Sequence, residues 1–345
     1  MKRYIIILVF LFSISNQAQK SDFKHINFKK ADAFTDMYQD YTLENLPLLA
    51  YNLTHNLNTQ VEKFRAIYTW VCSNIESDHS FGELTLKKRR RFKNDSIAFT
   101  NWNREVKPRF FKRLLKQKKT ICTGYAYLVR ELANLVDIEC EIINGYSRTT
   151  KHNIGSIDIP NHSWNTVKLN GKWYLVDATL ASGYYNVDEQ KFVKSYNDGY
   201  FLAAPKLYAT KYFPLEKKWL LTKDEIDLKQ FVNLPVTYGS TFKYGVIPVT
   251  PNTLLSRIAV GEEVMFRFKI RDKWDIEYMQ LVLNSGLRSE RLKVKPSNYD
   301  NGIIEMKYRF NKRGNYTVHF MVNKDVVVSY NIKVVRANTQ IGTSI

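Results

Sequence analysis

Three residues between positions 118 and 179 have the side-chain types of an activated-thiol site. Cys122 stands at the predicted start of a helix, His162 on a predicted strand, and Asp177 at the end of the next strand. The thiolate is the reactive form of cysteine, and a helix N-terminus with a neighbouring imidazolium lowers the thiol pKa from its usual value of about 8.5. These residues therefore predict a nucleophile, its base and a carboxylate that orients the base.

The positions of His162 and Asp177 relative to each other follow from the dipeptide Asn170-Gly171. Asn-Gly between two alternating segments is typical of a two-residue β-hairpin turn. Pairing across this turn puts Asp177 opposite Trp164, and His162 then becomes its diagonal neighbour on the same face. Diagonal neighbours lie about 7 Å apart at the backbone, within reach of a side-chain hydrogen bond. The spacing predicts an imidazole held by Asp177.

Two predicted helices and a strand position these residues. Thr59 to Glu62 has the pattern of a capping box, and apolar residues recur behind it at helical spacing as far as Ile75. A second amphipathic helix begins at Cys122 and extends to about Val136, and Glu139 to Ser147 alternates as a strand. The region around the candidate site is therefore predicted to mix helices with a sheet.

The segment between the two helices is predicted to be irregular. Residues 77 to 106 lose the helical period and collect charge, which indicates a long, basic, loop-rich insertion. A short helix is predicted after it, near Phe110 to Lys116. Residues 184 to 232 are aromatic and irregular, with short segments punctuated by proline.

From Leu234 onward the sequence changes to short, β-branched runs of roughly period two, separated by Gly, Pro, Asn and Asp. The runs are Glu263 to Ile270, Ile276 to Asn284, Ile303 to Phe310, Asn315 to Asn323 and Val326 to Val335. Several strands at this spacing predict an all-β sandwich of immunoglobulin-like size. A chain of 345 residues is long enough for two domains.

The first residues have the pattern of a secretory signal peptide. Lys2-Arg3 form a basic region, Tyr4 to Ile14 an apolar run, and Asn16-Gln17-Ala18 a cleavage site. The apolar run is shorter than the roughly 20 residues of a membrane span, which disfavours an uncleaved anchor. No later segment is apolar enough to cross a bilayer. We therefore expect an exported protein, secreted or periplasmic, without a membrane span after the leader is removed.

The chain is strongly basic. Without Lys2 and Arg3, 50 basic and 33 acidic side chains remain, a formal net charge of +17. Two blocks are dense, Lys87 to Lys93 and Lys112 to Lys119, and no nucleic-acid-binding motif surrounds either, so a nucleic-acid partner is not predicted. Two interpretations stay open: a solvated basic surface, or a surface that binds an anionic partner such as a cell-envelope polymer.

Three cysteines cannot all pair within one chain, so at least one thiol is predicted to be free. Cys72 lies on the apolar side of a predicted helix, and Cys140 alternates with isoleucines on a strand. These two either form a disulfide or pack as small apolar groups, and Cys122 is the thiol left over. The six histidines form no His/Cys cluster at metal-ligand spacing, so no metal or other cofactor is predicted.

Three blocks match, in order, the pattern of a known family. They are Cys122-Thr123-Gly124-Tyr125-Ala126, His162-Ser163-Trp164-Asn165 and Gly171-Lys172-Trp173-Tyr174-Leu175-Val176-Asp177. The chain thereby resembles the transglutaminase-like superfamily of papain-type cysteine enzymes. Arg65 to Trp70, Tyr212 to Pro214 and Trp219 to Leu221 further resemble its kyphoscoliosis-peptidase-like branch, and the resemblance covers roughly residues 40 to 335.

This resemblance implies an α+β fold, in which a papain- or transglutaminase-like core of N-terminal helices and an antiparallel sheet precedes an immunoglobulin-like β-sandwich. It implies that Cys122 is the nucleophile, His162 the base and Asp177 its orienter. Together with the leader pattern, the strand spacing and the polar C-terminal residues, it predicts a signal peptide at 1–19, a transglutaminase-like catalytic domain at 20–233, a β-sandwich domain at 234–337 and a loose tail at 338–345.

Two positions depart from the family pattern. The residue two before the cysteine is usually glycine in this branch and is Thr120 here, and the "Tyr-Asp" that often follows the first strong helix is Ser77-Asp78. Neither position belongs to the triad. Both bear on the shape of the substrate cleft.

The predicted function is that of an exported cysteine enzyme that attacks an amide carbonyl of a protein or peptide and forms a thioester. Either water (a peptidase or amidase) or an amine (a transglutaminase) resolves the thioester, and the sequence does not choose between them. Two other functions are considered. One is a catalytically silent scaffold at the cell envelope, because some members of this branch are thought to have lost activity. The other is a basic adhesin for anionic polymers.

Overall fold

The computed structural model describes residues 19–150, 152–223, 226–270, 276–285, 289–294 and 302–336. The predicted signal peptide, except for Gln19, and the predicted tail at 338–345 lie outside the described residues. Within the described part of the chain, no helix combines the length and the apolar character needed to span a bilayer.

Ten α-helices and seventeen strands lie within the described ranges. The helices are α1 (Lys29–Met37), α2 (Leu46–Thr54), α3 (Gln60–Asn74), α4 (His79–Arg91), α5 (Ser96–Gln117), α6 (Cys122–Asn134), α7 (Ala178–Ser182), α8 (Pro205–Tyr208), α9 (Leu228–Asn233) and α10 (Gly239–Lys243). The first nine strands are β1 (Glu76–Ser77), β2 (Lys119–Thr120), β3 (Cys140–Ser147), β4 (His162–Leu169), β5 (Lys172–Val176), β6 (Gly183–Asn186), β7 (Lys191–Lys194), β8 (Tyr212–Pro214) and β9 (Val236–Thr237). The other eight are β10 (Val246–Thr250), β11 (Leu255–Ala259), β12 (Glu263–Ile270), β13 (Met279–Asn284), β14 (Ser289–Val294), β15 (Ile303–Arg309), β16 (Gly314–Val322) and β17 (Asp325–Val335).

Helices and an antiparallel sheet share one core in the first part of the chain. The sheet has the strand order β5-β4-β3-β8, and α6 packs on β3 and β4 while α3 packs on α6 and α7. The predicted capping box of Thr59 and Glu62 is present at the start of α3. This helix is buried along most of its length, including Tyr68 and Trp70. The fold of this region is therefore of the mixed helix-and-sheet type that the sequence predicted.

The predicted hairpin register is confirmed. Strands β4 and β5 are antiparallel, with Leu169 paired with Lys172 and Asn165 with Val176. Both turn residues of Asn170-Gly171 have left-handed backbone, with φ values of 49° and 80°. This conformation is the one that Asn-Gly favours in two-residue hairpins.

The prediction of a loop-rich insertion at residues 77 to 106 is wrong. This segment forms α4 and the first half of α5, and the predicted short helix near 110–116 is the last part of α5. Asp78 and Asp95 cap the two helices, each accepting a hydrogen bond from a first-turn N–H group. Lysine and arginine favour helix, but both helices are largely exposed, so they carry no apolar period from which to predict them.

The two helices leave and rejoin the core at adjacent positions. Strands β1 and β2 pair in parallel, with Ser77 opposite Thr120. The Asp78 N–H donates to the Thr120 carbonyl at 2.7 Å. Phe110 of α5 lies against Gly124 of α6, where an added Cβ would be 2.8 Å from the phenylalanine ring and 1.9 Å from the Thr120 hydroxyl. The glycine of the family block therefore leaves room for the threonine that departs from the family pattern.

Two further sheets form the C-terminal part. One has the order β10-β12-β15, and the other β11-β17-β16-β13-β14 with β9 also on β17. Residues of both sheets share a second core, in which the rings of Phe268 and Phe320 stack with centroids 3.8 Å apart. The five predicted strands are present, with ends shifted by at most three residues. The immunoglobulin-like sandwich itself stays a prediction.

The division between residues 233 and 234 also stays a prediction. Helix α10 and strand β10 lie between the two cores, because Phe242 and Ile247 belong to the first core whereas Tyr244 and Val246 belong to the second.

We expect Gly124→Ala to destabilise the protein by about 1–3 kcal/mol, because the new methyl group has no room beside Thr120 and Phe110. Urea unfolding followed by circular dichroism measures this loss. Introducing Thr120→Gly as well should restore part of it. The control is Gly82→Ala in α4, where the nearest atom would be 3.8 Å away, so stability should be unchanged or slightly higher. Equal stability of Gly124→Ala and the wild type would contradict this packing.

Candidate active site

Cys122 is the first residue of α6. The preceding residue, Ile121, occupies the N-cap position in extended backbone and offers no side-chain acceptor to the first turn. The Cys122 N–H has no hydrogen-bond partner among the described residues. The thiol is half-buried and lies at the positive end of the helix dipole, which favours a negative charge there.

His162 and Asp177 are joined as the sequence predicted. The Nε2 atom of His162 lies 2.7 Å from Oδ2 of Asp177, and both residues are buried. Strand β4 holds the histidine at its first residue, and Asp177 follows the last residue of β5. Because Nε2 is occupied by the carboxylate, Nδ1 is the ring nitrogen left to interact with the thiol.

The Asp177 carboxylate is also the N-cap of α7. Its Oδ1 accepts the backbone N–H of Leu180 at 3.1 Å, and its Oδ2 accepts the Tyr212 hydroxyl at 2.6 Å. Burial raises the pKa of this carboxyl group, but the charge and hydrogen bond of His162, with the two other donors, outweigh burial and hold it below its usual range. The carboxylate is therefore ionised at neutral pH.

The thiol and the imidazole shift each other's pKa. Burial alone would raise the pKa of Cys122, but the hydrogen bond and charge of His162 lower it to about 7. The charge of Arg89 and a backbone hydrogen bond from Ser163 lower it further. Burial would lower the pKa of His162, but Asp177 and the Cys122 thiolate raise it to about 10. Between these two values the thiolate–imidazolium pair is the favoured state.

Hydrogen bonds from neighbouring elements hold the backbone on which the site residues stand. The Tyr68 hydroxyl on α3 donates to the backbone carbonyl of Asp177 at 3.1 Å. Asn165, three residues after His162, donates its side-chain N–H to the carbonyl of Ala126 at 2.9 Å and so joins β4 to α6. These bonds hold the strand of the base and the helix of the thiol at a fixed distance.

Sequence reasoning assigned no role to Tyr212 or Arg89. Tyr212 comes into place because β8 pairs with β3, with the tyrosine opposite Ser147. Arg89 comes into place because residues 77 to 106 are helical. The family pattern had marked the segment from Tyr212 to Pro214, and this was the one signal that pointed towards the tyrosine.

The other two cysteines are not joined. Cys72 and Cys140 are free and buried, so the alternative of a disulfide between them is wrong and the apolar-packing alternative holds. Burial raises the pKa of both thiols. The Cys72 thiol also donates to the carbonyl of Ala178, 3.6 Å away. Within the described residues, no group of three or more His, Cys, Asp and Glu side chains is arranged to hold a metal ion.

Comparison with known proteins identifies a protein family for part of the chain. Residues 48–178 match the transglutaminase-like superfamily, and this segment contains Cys122, His162 and Asp177. Residues 48–178 form a transglutaminase-like domain. The kyphoscoliosis peptidase of Homo sapiens is 31% identical over 240 residues, which are 68% of this chain and 33% of that protein. This similarity agrees with the kyphoscoliosis-peptidase-like branch that the sequence blocks indicated.

More distant relatives carry different names. Hillarin of Drosophila melanogaster is 26% identical over 212 residues, 57% of this chain and 23% of hillarin. Cytokinesis protein 3 of Saccharomyces cerevisiae is 27% identical over 143 residues, 40% of this chain and 16% of that protein. The chain spans about a third of the length of the kyphoscoliosis peptidases that it matches. The chain therefore corresponds to one part of each of these relatives.

The pKa of Cys122 makes its reactivity depend on pH. Because only the thiolate reacts, we expect its alkylation by iodoacetamide to rise through about pH 7, well below the value of about 8.5 for an ordinary thiol. In His162→Ala the two largest effects that oppose burial are lost, so the midpoint should rise to about 8.5 or more and the rate at pH 7 should fall by about tenfold or more. Mass spectrometry of the labelled peptides measures the rates. Unchanged midpoints would contradict the ion pair.

The Tyr212 hydroxyl contacts Asp177, and the Tyr212 ring stacks on His162 with centroids 5.7 Å apart, a contact that Tyr212→Phe keeps. In Tyr212→Phe the carboxylate loses a charge-assisted hydrogen bond, so we expect about 1–3 kcal/mol less stability. Its weaker hold on His162 should raise the midpoint of Cys122 alkylation. A tyrosine with a purely structural role would lower stability and leave the pH midpoint in place. Tyr208→Phe, which removes a buried hydroxyl without a hydrogen-bond partner in the described structure, is the matched control.

Proposed function

We propose that this protein is a cysteine enzyme that acts on amide bonds, with Cys122 as nucleophile, His162 as base and Asp177 as the residue that orients the base. The observation that carries the proposal is the buried 2.7 Å bond between His162 and Asp177, next to a half-buried thiol on a helix N-terminus. Such a set of groups supplies a thiolate at neutral pH and a proton donor beside it.

The reaction begins when the thiolate attacks the amide carbonyl carbon and a C–S bond forms. The carbonyl oxygen takes the negative charge, and the free N–H of Cys122 is positioned to donate to it. The C–N bond then breaks, and the imidazolium of His162 gives its proton to the leaving amine. A thioester on Cys122 remains, with His162 now neutral and still held by Asp177.

The second half-reaction releases the acyl group. Water or an amine attacks the thioester carbonyl, His162 takes the proton of the attacking group, and the C–S bond breaks to restore the thiolate. Water gives a carboxylic acid, the outcome of a peptidase or amidase. An amine gives a new amide, the outcome of a transglutaminase. The name of the human relative, a peptidase, supports the first outcome for this chain.

The substrate of this enzyme is a protein or peptide, since the chemistry needs an amide. The leader pattern at Lys2-Arg3 and Tyr4 to Ile14 supports a place outside the cytoplasm, secreted or periplasmic. A catalytically silent scaffold is the second candidate. It is favoured by relatives that are named for cytokinesis and not for an activity.

A thiol-directed peptide probe tests nucleophile and base together. We expect the wild type to be labelled at Cys122, the Cys122→Ala variant not at all, and the His162→Ala variant at least about 100-fold more slowly at pH 7. Cys72→Ala and the exposed His25→Ala serve as controls and should react like the wild type. Slow labelling of Cys122, at the rate of an ordinary buried thiol, would favour the scaffold.

A further inference from the structure

Helices α4 and α5, residues 79–117, form a hairpin that contacts both halves of the candidate site. We call it the basic hairpin. On one side, the backbone of α4 approaches Ile121, the residue before the thiol: a Cβ on Gly82 would lie 3.8 Å from its Cγ2 atom. Further along α4, Arg89 donates to the carbonyl of Pro160 at 3.1 Å, two residues before His162.

The second helix of the hairpin packs on the helix of the thiol. The rings of Phe111 on α5 and Tyr127 on α6 meet edge to face with centroids 5.7 Å apart. Phe110 fills the space beside Gly124. In addition, Arg90 of α4 forms an ion pair with Asp158 at 2.7 Å, in the loop that leads to His162. The basic hairpin is therefore fixed to the thiol side and to the histidine side of the site.

The charge of the basic hairpin is not neutralised by the protein. It contains twelve Lys and Arg residues against the three acids Glu83, Asp95 and Glu105, a net charge of +9 out of +19 for the whole chain. Among the described residues, only Arg90 and Arg113 of these twelve form ion pairs with a carboxylate. The other ten cations have no acidic partner in the described structure, so the field of the hairpin extends over the site.

Arg89 is the member of this set that contacts the segment just before His162. Its side chain is half-buried, and one of its five N–H donors is used by the Pro160 carbonyl. Among the described residues, the remaining donors have no acceptor. A guanidinium with free donors matches a carboxylate in geometry and charge. The positive charge of Arg89 also lowers the pKa of the Cys122 thiol.

We infer that the basic hairpin is the substrate-binding wall of this site, and that it binds an acidic polypeptide with Arg89 holding a carboxylate beside the amide that meets Cys122. The inference rests on the proposed function, because it supplies the substrate for that site. Arg89 is a specificity residue in this arrangement, and the exposed lysines and arginines of α4 and α5 attract the flanking acidic residues.

A polypeptide fits this surface better than a general polyanion. The hairpin leads to one half-buried thiol, and only a molecule that brings both an amide and carboxylates uses the two features together. The Arg89 guanidinium lies where α4 meets the segment before His162, as its bond to the Pro160 carbonyl shows. A polyanion without amides would use the exposed charges and leave Cys122 unaffected.

Binding can be measured without turnover. The probes are a fluorescein-labelled peptide of twelve residues rich in glutamate and its counterpart with every glutamate replaced by glutamine, followed by fluorescence anisotropy with the full chain. At low salt we expect the acidic peptide to bind at least about tenfold more tightly than its glutamine counterpart. Its affinity should fall as the salt concentration rises. It should also slow the alkylation of Cys122 by iodoacetamide.

Variants locate the binding. Arg89→Gln should reduce the preference for the acidic peptide by about tenfold, and Arg89→Lys should keep part of it because the charge remains. Lys333→Gln, which removes an exposed charge on β17 far along the chain, is the matched control and should leave the preference unchanged. A thermal melt of Arg89→Gln shows whether losing the bond to Pro160 disturbs the fold.

Three outcomes would overturn the inference. Equal binding of the two peptides removes the acidic substrate. A preference that survives in a folded Arg89→Gln protein removes the role of Arg89. Tight binding of inorganic polyphosphate, together with an acidic peptide that leaves Cys122 alkylation unchanged, makes the hairpin a general polyanion surface. The proposed function fails separately, by a Cys122 whose reactivity does not depend on His162.

Discussion

The structure around the site depends on one buried negative charge, the carboxylate of Asp177. A carboxylate without water is costly unless donors surround it, and here His162, Tyr212 and the Leu180 N–H supply them. These donors come from three separate elements, β4, β8 and α7, and Tyr212 of β8 lies 35 residues after Asp177. Satisfying the charge therefore brings these elements together, and the same contacts fix the ring that faces the thiol.

The three cysteines show what this environment does to a side chain. All three are free, and burial opposes the thiolate in each. In Cys72 and Cys140 burial prevails and the pKa is raised, so these thiols pack as apolar groups. In Cys122 the imidazolium opposes burial and lowers the pKa to about 7. Residue type is the same in all cases, and the neighbours decide between packing and reactivity.

Turn, capping and alternation patterns in the sequence predicted the hairpin, a helix start and a strand correctly. The Asn170-Gly171 turn gave the register of the hairpin, and with it the bond between His162 and Asp177. The capping box at Thr59 predicted the start of α3, and period-two alternation predicted β12. Each of these depends on residues close together in sequence or on burial of one face.

The helices α4 and α5 and the positions of Tyr212 and Arg89 could not be predicted from sequence patterns. Helices α4 and α5 bury few side chains, so their apolar residues show no helical period, although Asp78 and Asp95 are ordinary N-cap residues. Tyr212 reaches Asp177 only through the pairing of β8 with β3, which joins segments far apart in the chain. The position of Arg89 follows from both the helix and the loop on which it docks.

The parallel pairing of β1 with β2 has a consequence for how this fold can vary. Because Ser77 and Thr120 are partners, the chain leaves the core and returns to it at one place, and the ends of the hairpin are joined whatever lies between them. The entropy of closing a loop grows only slowly with its length. The pairing of β1 with β2 therefore lets the length of the segment between these ends change at little entropic cost without separating Ser77 from Thr120.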